Sequence, residues 1–89
     1  MYLRIIKERG VIRFRLRELI ADKAFNEKRV ITMGEVAEAT GIHRTTLTKI
    51  ANSPSYNCTT DNIDRLCQYF GCETGEVIVF IPEEGKNEV

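Results

Sequence analysis

Residues 32–52, TMGEVAEATGIHRTTLTKIAN, constrain this chain more than any other stretch, because they read as a helix, a sharp turn and a second helix. Two short helices crossing at roughly 90–120° through a turn of about 3–4 residues need one very small side chain at the contact and one residue that tolerates a left-handed backbone. Ala37 and Gly41 fill those two places. Thr32 is positioned to cap the first helix through its hydroxyl, with Glu35 reaching back in a capping box, and Ile31 and Val36 bracket the cap as a hydrophobic staple. Gly41 ends that helix, since a residue without a β-carbon enters the left-handed region at little cost. Ile42 then turns inward. From Arg44 onward Leu47 and Ile50 recur at helical spacing, which buries one face and leaves Arg44, Thr45, Thr48 and Lys49 on another.

The pattern Val36, Ala37, Gly41, Ile42, Leu47 and Ile50 closely resembles the phage-repressor-like (Cro/CI-type, or XRE) helix-turn-helix family. The resemblance extends more loosely over residues 12–72. Within the family the chain looks most like small stand-alone bacterial regulators whose last helix runs into a Cys-Gly-type turn and an apolar, proline-ended tail, here Phe70-Gly71-Cys72 and residues 77–82. The resemblance implies an all-α (mainly α), compact four- to five-helix repressor-like domain. It also implies a sequence-specific double-stranded DNA-binding transcriptional regulator, a dimeric repressor that reads the major groove with the helix 44–51. In such a protein Arg44, Thr45 and Lys49 would read bases, with Met33 and Thr46 nearer the DNA backbone. The chain departs from the family pattern at several points. Met33 stands where glutamine is common, His43 where a serine or threonine usually caps the second helix, and Ala51 where an acidic residue is often seen. Asn52-Ser53 replaces an asparagine-glycine pair whose amides often meet the DNA backbone.

The residue types suit those positions. Arg44 can contact guanine O6 and N7 with two hydrogen bonds, worth roughly 1–3 kcal/mol of discrimination. Thr45 and Thr48 offer a hydroxyl to a base and a methyl group to thymine, and Lys49, one turn later, reaches the same groove or its wall. Helix N-termini and polar side chains hold phosphates. That places Thr32, Met33 through its amide, a neutral His43, Thr46, Asn52 and Ser53 along the DNA backbone; Asn52 equally reads as a helix C-cap. Lys28 and Arg29 lie in a loop, residues 25–31, that is longer than the family's usual link. They read either as backbone contacts or as part of a solvated charged loop. Arg13, Arg15 and Arg17 carry the same two readings, phosphate contact or solvated scaffold.

Around the motif, Ile12, Leu16, Leu19, Ile20 and Ala24 repeat at helical intervals and mark a first helix. Ser53-Pro54-Ser55 reads as a turn. Thr59 caps a further helix whose apolar stripe is Ile63, Leu66, Cys67 and Phe70 and whose stop is Gly71, and residues 73–78 make one more helical turn. Residues 77–81 are β-formers closed by Pro82. They predict an extended segment paired with residues 2–6 in a small β pair, either within one chain or across a dimer interface.

A chain of 89 residues suits a single domain, residues 1–89, with its core in 11–72 and terminal segments 1–10 and 73–89. Its formal net charge of zero is a cancellation, because basic residues crowd the first third while Glu73, Glu76, Glu83, Glu84 and Glu88 load the tail. That acidic tail is the candidate surface for a protein partner. The alternative function is accordingly a protein-interaction module, such as an antitoxin or accessory regulator, on the same scaffold. Cys58, Cys67 and Cys72 are odd in number, lack paired C-x2-C spacing and follow no secretory segment, so they read as small buried hydrophobes in a reducing cytoplasm. No stretch approaches the ~20 apolar residues of a membrane span. His43 is the sole histidine and no carboxylate pair, serine nucleophile or glycine-rich phosphate loop accompanies it, so no catalytic residue, cofactor or metal is expected. The aromatic residues are scattered and read mostly as core, not as an RNA-stacking platform.

Overall fold

The computed structural model describes residues 10–53 and 56–82. The tail strand finds its partner nearer the core than the sequence suggests. Strand β1 (Gly10–Phe14) pairs antiparallel with β2 (Ile78–Pro82), setting Gly10 opposite Pro82, Ile12 opposite Phe80 and Phe14 opposite Ile78. Residues 2–6, the Pro54-Ser55 turn and the acidic stretch 83–89 lie outside the described residues. Ile12 therefore belongs to a strand and not to the first helix. Its helical spacing to Leu16 is outweighed by the β-branched pair Val11-Ile12 and by a run of β-formers available to pair with it.

Between the strands lie five helices: α1 (Leu16–Glu27), α2 (Met33–Thr40), α3 (Arg44–Asn52), α4 (Thr60–Phe70) and α5 (Thr74–Val77). The fold is mainly helical with one small two-stranded sheet, as the resemblance implies. The Arg15 amide donates to the Val77 carbonyl at 2.8 Å, so the start of α1 and the end of α5 are tied and both strands leave the helical body at one place. Helix α1 runs further than its sequence signals indicate. Phe25, Asn26 and Glu27, expected in a loop, form its last turn, and Lys28 ends it in the left-handed region at φ 55°. A lysine here takes the backbone role that glycine usually fills, which is why no stop is visible in the sequence. The link to α2 is short as a result.

Helix α4 begins where Thr59 Oγ1 accepts from the Asn62 amide at 3.1 Å and stops at Gly71, while a capping box between Glu73 and Glu76 starts α5. Every helix contributes to one core: Leu16 from α1, Val36 from α2, Leu47 and Ile50 from α3, Leu66 from α4 and Val77 from α5, joined by Ile31 and Ile42 from the links. Phe14, Tyr56, Tyr69 and Phe70 pack around it, but Phe25 and Phe80 are 81% and 57% exposed and are not core. The three cysteines are free and partly buried. Burial pushes the thiols of Cys58 and Cys72 above their ordinary range, and Cys67 beside it adds to the shift at Cys72, which suits small apolar side chains better than nucleophiles. No helix among the described residues is long and apolar enough to cross a membrane.

Candidate nucleic-acid interface

Helix α2 begins at Thr32, whose backbone is extended and whose Oγ1 accepts from the Glu35 amide at 3.1 Å. The Glu35 carboxylate does not complete a capping box. It is held instead by Arg29, with Nη1 at 2.9 Å and Nη2 at 2.6 Å, and Arg29 Nε reaches Glu27 at 2.9 Å. The two carboxylates raise the Arg29 pKa, and the Arg29 hydrogen bonds lower that of Glu35; Glu27 is lowered by Lys23 first and by Arg29 second. Arg29 is thus an exposed cation whose charge is offset by its own chain, whereas among the described residues no hydrogen bond or ion pair engages the adjacent Lys28 side chain. The Met33 side chain packs against the core beside Ile20 and Ile31.

Gly41, Thr40 and Arg65 build the turn. Gly41 adopts φ 80° and its amide donates to the Ala37 carbonyl at 2.8 Å. Buried Thr40 donates its hydroxyl to the Val36 carbonyl at 2.7 Å and accepts from the Ile42 amide at 3.1 Å, so its one buried polar side chain is satisfied on both sides. From α4, Arg65 Nη1 donates to the Thr40 carbonyl at 3.0 Å while its Nε holds Asp61. A guanidinium at this place answers the unpaired carbonyls and partial negative charge of a helix C-terminus. Arg65 carries no signal in the sequence, because its partner lies 25 residues away.

Helix α3 starts at His43, which is exposed and makes no side-chain cap bond. Leu47 and Ile50 point into the core. Arg44, Thr45, Thr48 and Lys49 are exposed, and Thr46 is half-buried. Thr48 Oγ1 donates to the Arg44 carbonyl at 3.0 Å. Arg44 lies back against the start of α2: a β-carbon at Gly34 would stand 3.9 Å from Arg44 Nη1 and 3.8 Å from Thr32 Oγ1. A β-carbon at Gly34 would thus be in ordinary van der Waals contact with both, beside the N-termini of α2 and α3, each with amides that no helical carbonyl satisfies. At the other end Ser53, not Asn52, is the C-cap, and its amide donates to Lys49 at 2.9 Å. The Asn52 side chain instead accepts a hydrogen bond from Arg17 on α1. Arg13 is paired with Glu18 at 2.7 Å, so both arginines hold groups of the protein itself.

A family model described as the Cro/C1-type HTH DNA-binding domain matches residues 15–83. The chain belongs to this family. The crystal structure of the transcriptional regulator VanUg, form II, is similar to this Cro/C1-type domain with a TM-score of 0.64 at 24% sequence identity, covering 83% of this chain and 89% of that chain. At that identity the likeness shows the fold. A search of curated proteins gives no match. In Cro/C1-type domains the second helix of the motif enters the major groove with its N-terminal residues against base edges. Here that helix is α3.

Proposed function

We propose that this Cro/C1-type domain is a single-domain, cytoplasmic, dimeric regulator that reads a specific double-stranded DNA sequence with α3 and represses by occupying it. The observation that carries the reading is the exposed face Arg44, Thr45, Thr48 and Lys49, with no carboxylate between residues 43 and 53, flanked by two adjacent helix N-termini. Such a face accepts the negative rim of a major groove, and its donors match base edges. Arg44 reads guanine, Thr45 and Thr48 add tolerant contacts, and Lys49 also favours the C-terminal end of its helix dipole. Thr32, the amide of Met33, His43, Thr46, Asn52 and Ser53 line the flanking phosphates, with Lys28 beyond them. Arg29 joins them only by exchanging Glu35 or Glu27 for a phosphate. One α3 reads too few base pairs for useful specificity, and two half-sites about 34 Å apart supply enough.

The test is a titration of randomised duplexes at two salt concentrations. Arg44→Ala is expected to lose preference at one base position by about 1–3 kcal/mol while keeping its non-specific affinity. Lys28→Ala is expected to weaken every duplex alike and to lower the salt slope by about 1, with a smaller change for Arg29→Ala because its charge is already offset. Equal losses for Arg44→Ala on every sequence would remove the base-reading role. An absence of binding to any duplex at low salt would point to a protein-contact module instead.

A further inference from the structure

We propose that the junction of α4 and α5 is a modification site, where Cys67 and Cys72 form a paired dithiol that a hydroperoxide converts to an intramolecular disulfide. The pairing follows from the way α4 ends. Gly71 takes the left-handed conformation at φ 65°, and the Cys72 amide donates to the Cys67 carbonyl at 3.1 Å. A bond of this span is the mark of a Schellman turn, which folds the side chains on the two sides of the left-handed residue against each other. Those places usually hold an apolar pair; here both are cysteine. Covalent geometry bounds the separation. A carbonyl oxygen lies about 2.4 Å from its own α-carbon and an amide nitrogen about 1.5 Å from its own, so the α-carbons of residues 67 and 72 stand less than about 7 Å apart. The path between them is bent, which brings them into the range of about 4.4–6.8 Å that disulfides span.

Both thiols are partly buried, and both line one open groove between α4 and the start of α5. They also act on each other: burial does most to raise the Cys72 thiol, and the charge and hydrogen bonding of Cys67 raise it further. Cys72 therefore keeps its proton beside Cys67, which suits it to react second, on a neighbour already held against it. The groove selects the oxidant. Asp64 and Glu73 line it, and among the described residues no cationic side chain does. A small neutral hydroperoxide enters such a groove, whereas an anionic disulfide such as oxidised glutathione is repelled. Cys58 stands outside this arrangement. It lines a different groove beside Val11 and Phe14, and its thiol donates to the Thr59 carbonyl at 3.6 Å.

The reaction balances with the hydroperoxide alone. The Cys67 sulfur attacks one peroxide oxygen, the O–O bond breaks, and the thiol proton leaves with the other oxygen as water or an alcohol, so that Cys67 becomes a sulfenic acid. The Cys72 sulfur then attacks the Cys67 sulfur. The S–O bond breaks as the S–S bond forms, and the Cys72 proton leaves with the hydroxyl group as water. The two thiols lose two electrons and two protons, and the hydroperoxide is reduced. Because Cys72 is already against Cys67, the second step outruns further oxidation of the sulfenic acid to sulfinic acid, which thiols do not reverse. The product is a reducible staple across the turn between α4 and α5, and it constrains the unfolded chain more than the folded one.

The experiment treats the reduced full chain with hydrogen peroxide, blocks the remaining thiols with a maleimide in denaturant, and maps tryptic peptides by mass. Cleavage after Lys49, Arg65 and Lys86 leaves Cys58 in residues 50–65 and both other cysteines in residues 66–86. The peptide 66–86 is expected unblocked and lighter by two hydrogens than its reduced form, with the thiols restored by dithiothreitol, while 50–65 carries the maleimide. Cys58→Ser is expected to give the same product, and Cys67→Ser and Cys72→Ser to give none. Equilibration with oxidised and reduced dithiothreitol reads the contribution of the fold: the disulfide is expected to be favoured about tenfold or more in the native chain over the chain in urea. Equal equilibrium constants would show that the fold does not hold the thiols together and would overturn the inference. So would sulfinic acid at either cysteine of the wild type, a disulfide through Cys58 or between chains, or a peptide 66–86 that stays fully blocked under excess peroxide. The wild-type map decides even where a serine variant fails to fold.

Discussion

Leu47→Ala is expected to destabilise the domain by about 2–5 kcal/mol, a large share of the ~5–15 kcal/mol that holds a domain together. Leu47 is fully buried, and with Ile50 it is all that α3 inserts completely into the core. Truncation removes apolar contact and leaves a cavity that surrounding helices fill only in part. The consequence reaches the DNA face directly. Arg44, Thr45 and Thr48 are placed by the seating of α3, so a loosened helix loses their common orientation even while the chain stays folded. Urea unfolding followed by circular dichroism measures the stability change, and duplex titration at a temperature where the variant is folded measures the functional one. Thr48→Ala, which removes only an exposed bond to the Arg44 carbonyl, is expected to stay within about 0.5 kcal/mol of the wild type in stability. A loss below about 1 kcal/mol for Leu47→Ala would mean that α3 is not docked through this side chain.

The motif was legible in the sequence because each of its parts rests on local chemistry. Thr32 caps within three residues, Gly41 answers a backbone angle, and Leu47 and Ile50 follow from one helical period. The features the sequence hides depend on a residue playing another's part or on contacts between distant elements. Lys28 adopts the left-handed conformation, so α1 ends without a glycine and the expected loop at 25–27 is helix. Glu35 is close enough to Thr32 for a capping box, yet Arg29 offers its carboxylate two charged donors and takes it. Ile12 fits a helical period, but the β-branched pair it makes with Val11 and the approach of residues 78–82 decide for the strand. Asn52 reads as a cap until Arg17, from another helix, claims its side-chain oxygen.

The turn provides the sharpest separation of backbone from side-chain effects, since two glycines share a conformation and differ in their surroundings. Gly41 and Gly71 both end helices in the left-handed region, at φ 80° and 65°. A β-carbon at Gly71 meets nothing within 4 Å, whereas one at Gly41 lies 2.8 Å from Arg65 Nη1. Gly71→Ala is therefore expected to cost only the backbone preference, about 1–2 kcal/mol. At Gly41 the guanidinium is the end of a flexible chain and can swing aside, but doing so gives up its bond to the Thr40 carbonyl. That bond is partly solvated, so its loss adds about 1 kcal/mol and brings Gly41→Ala to about 2–3 kcal/mol. Arg65→Ala alone gives up the same bond. In the double variant the loss is counted once, so the two changes are expected to be sub-additive by about 1 kcal/mol, while Gly71→Ala with Arg65→Ala adds simply. Urea unfolding of the five proteins and the wild type measures both cycles. Simple additivity at Gly41 would show that Arg65 does not brace the turn. Because the turn sets the angle between α2 and α3, and with it the approach of Thr32 to Arg44 across Gly34, Gly41→Ala is also expected to weaken specific DNA binding at temperatures where it is fully folded. Gly71→Ala, at the far end of α4, is expected to leave that binding unchanged.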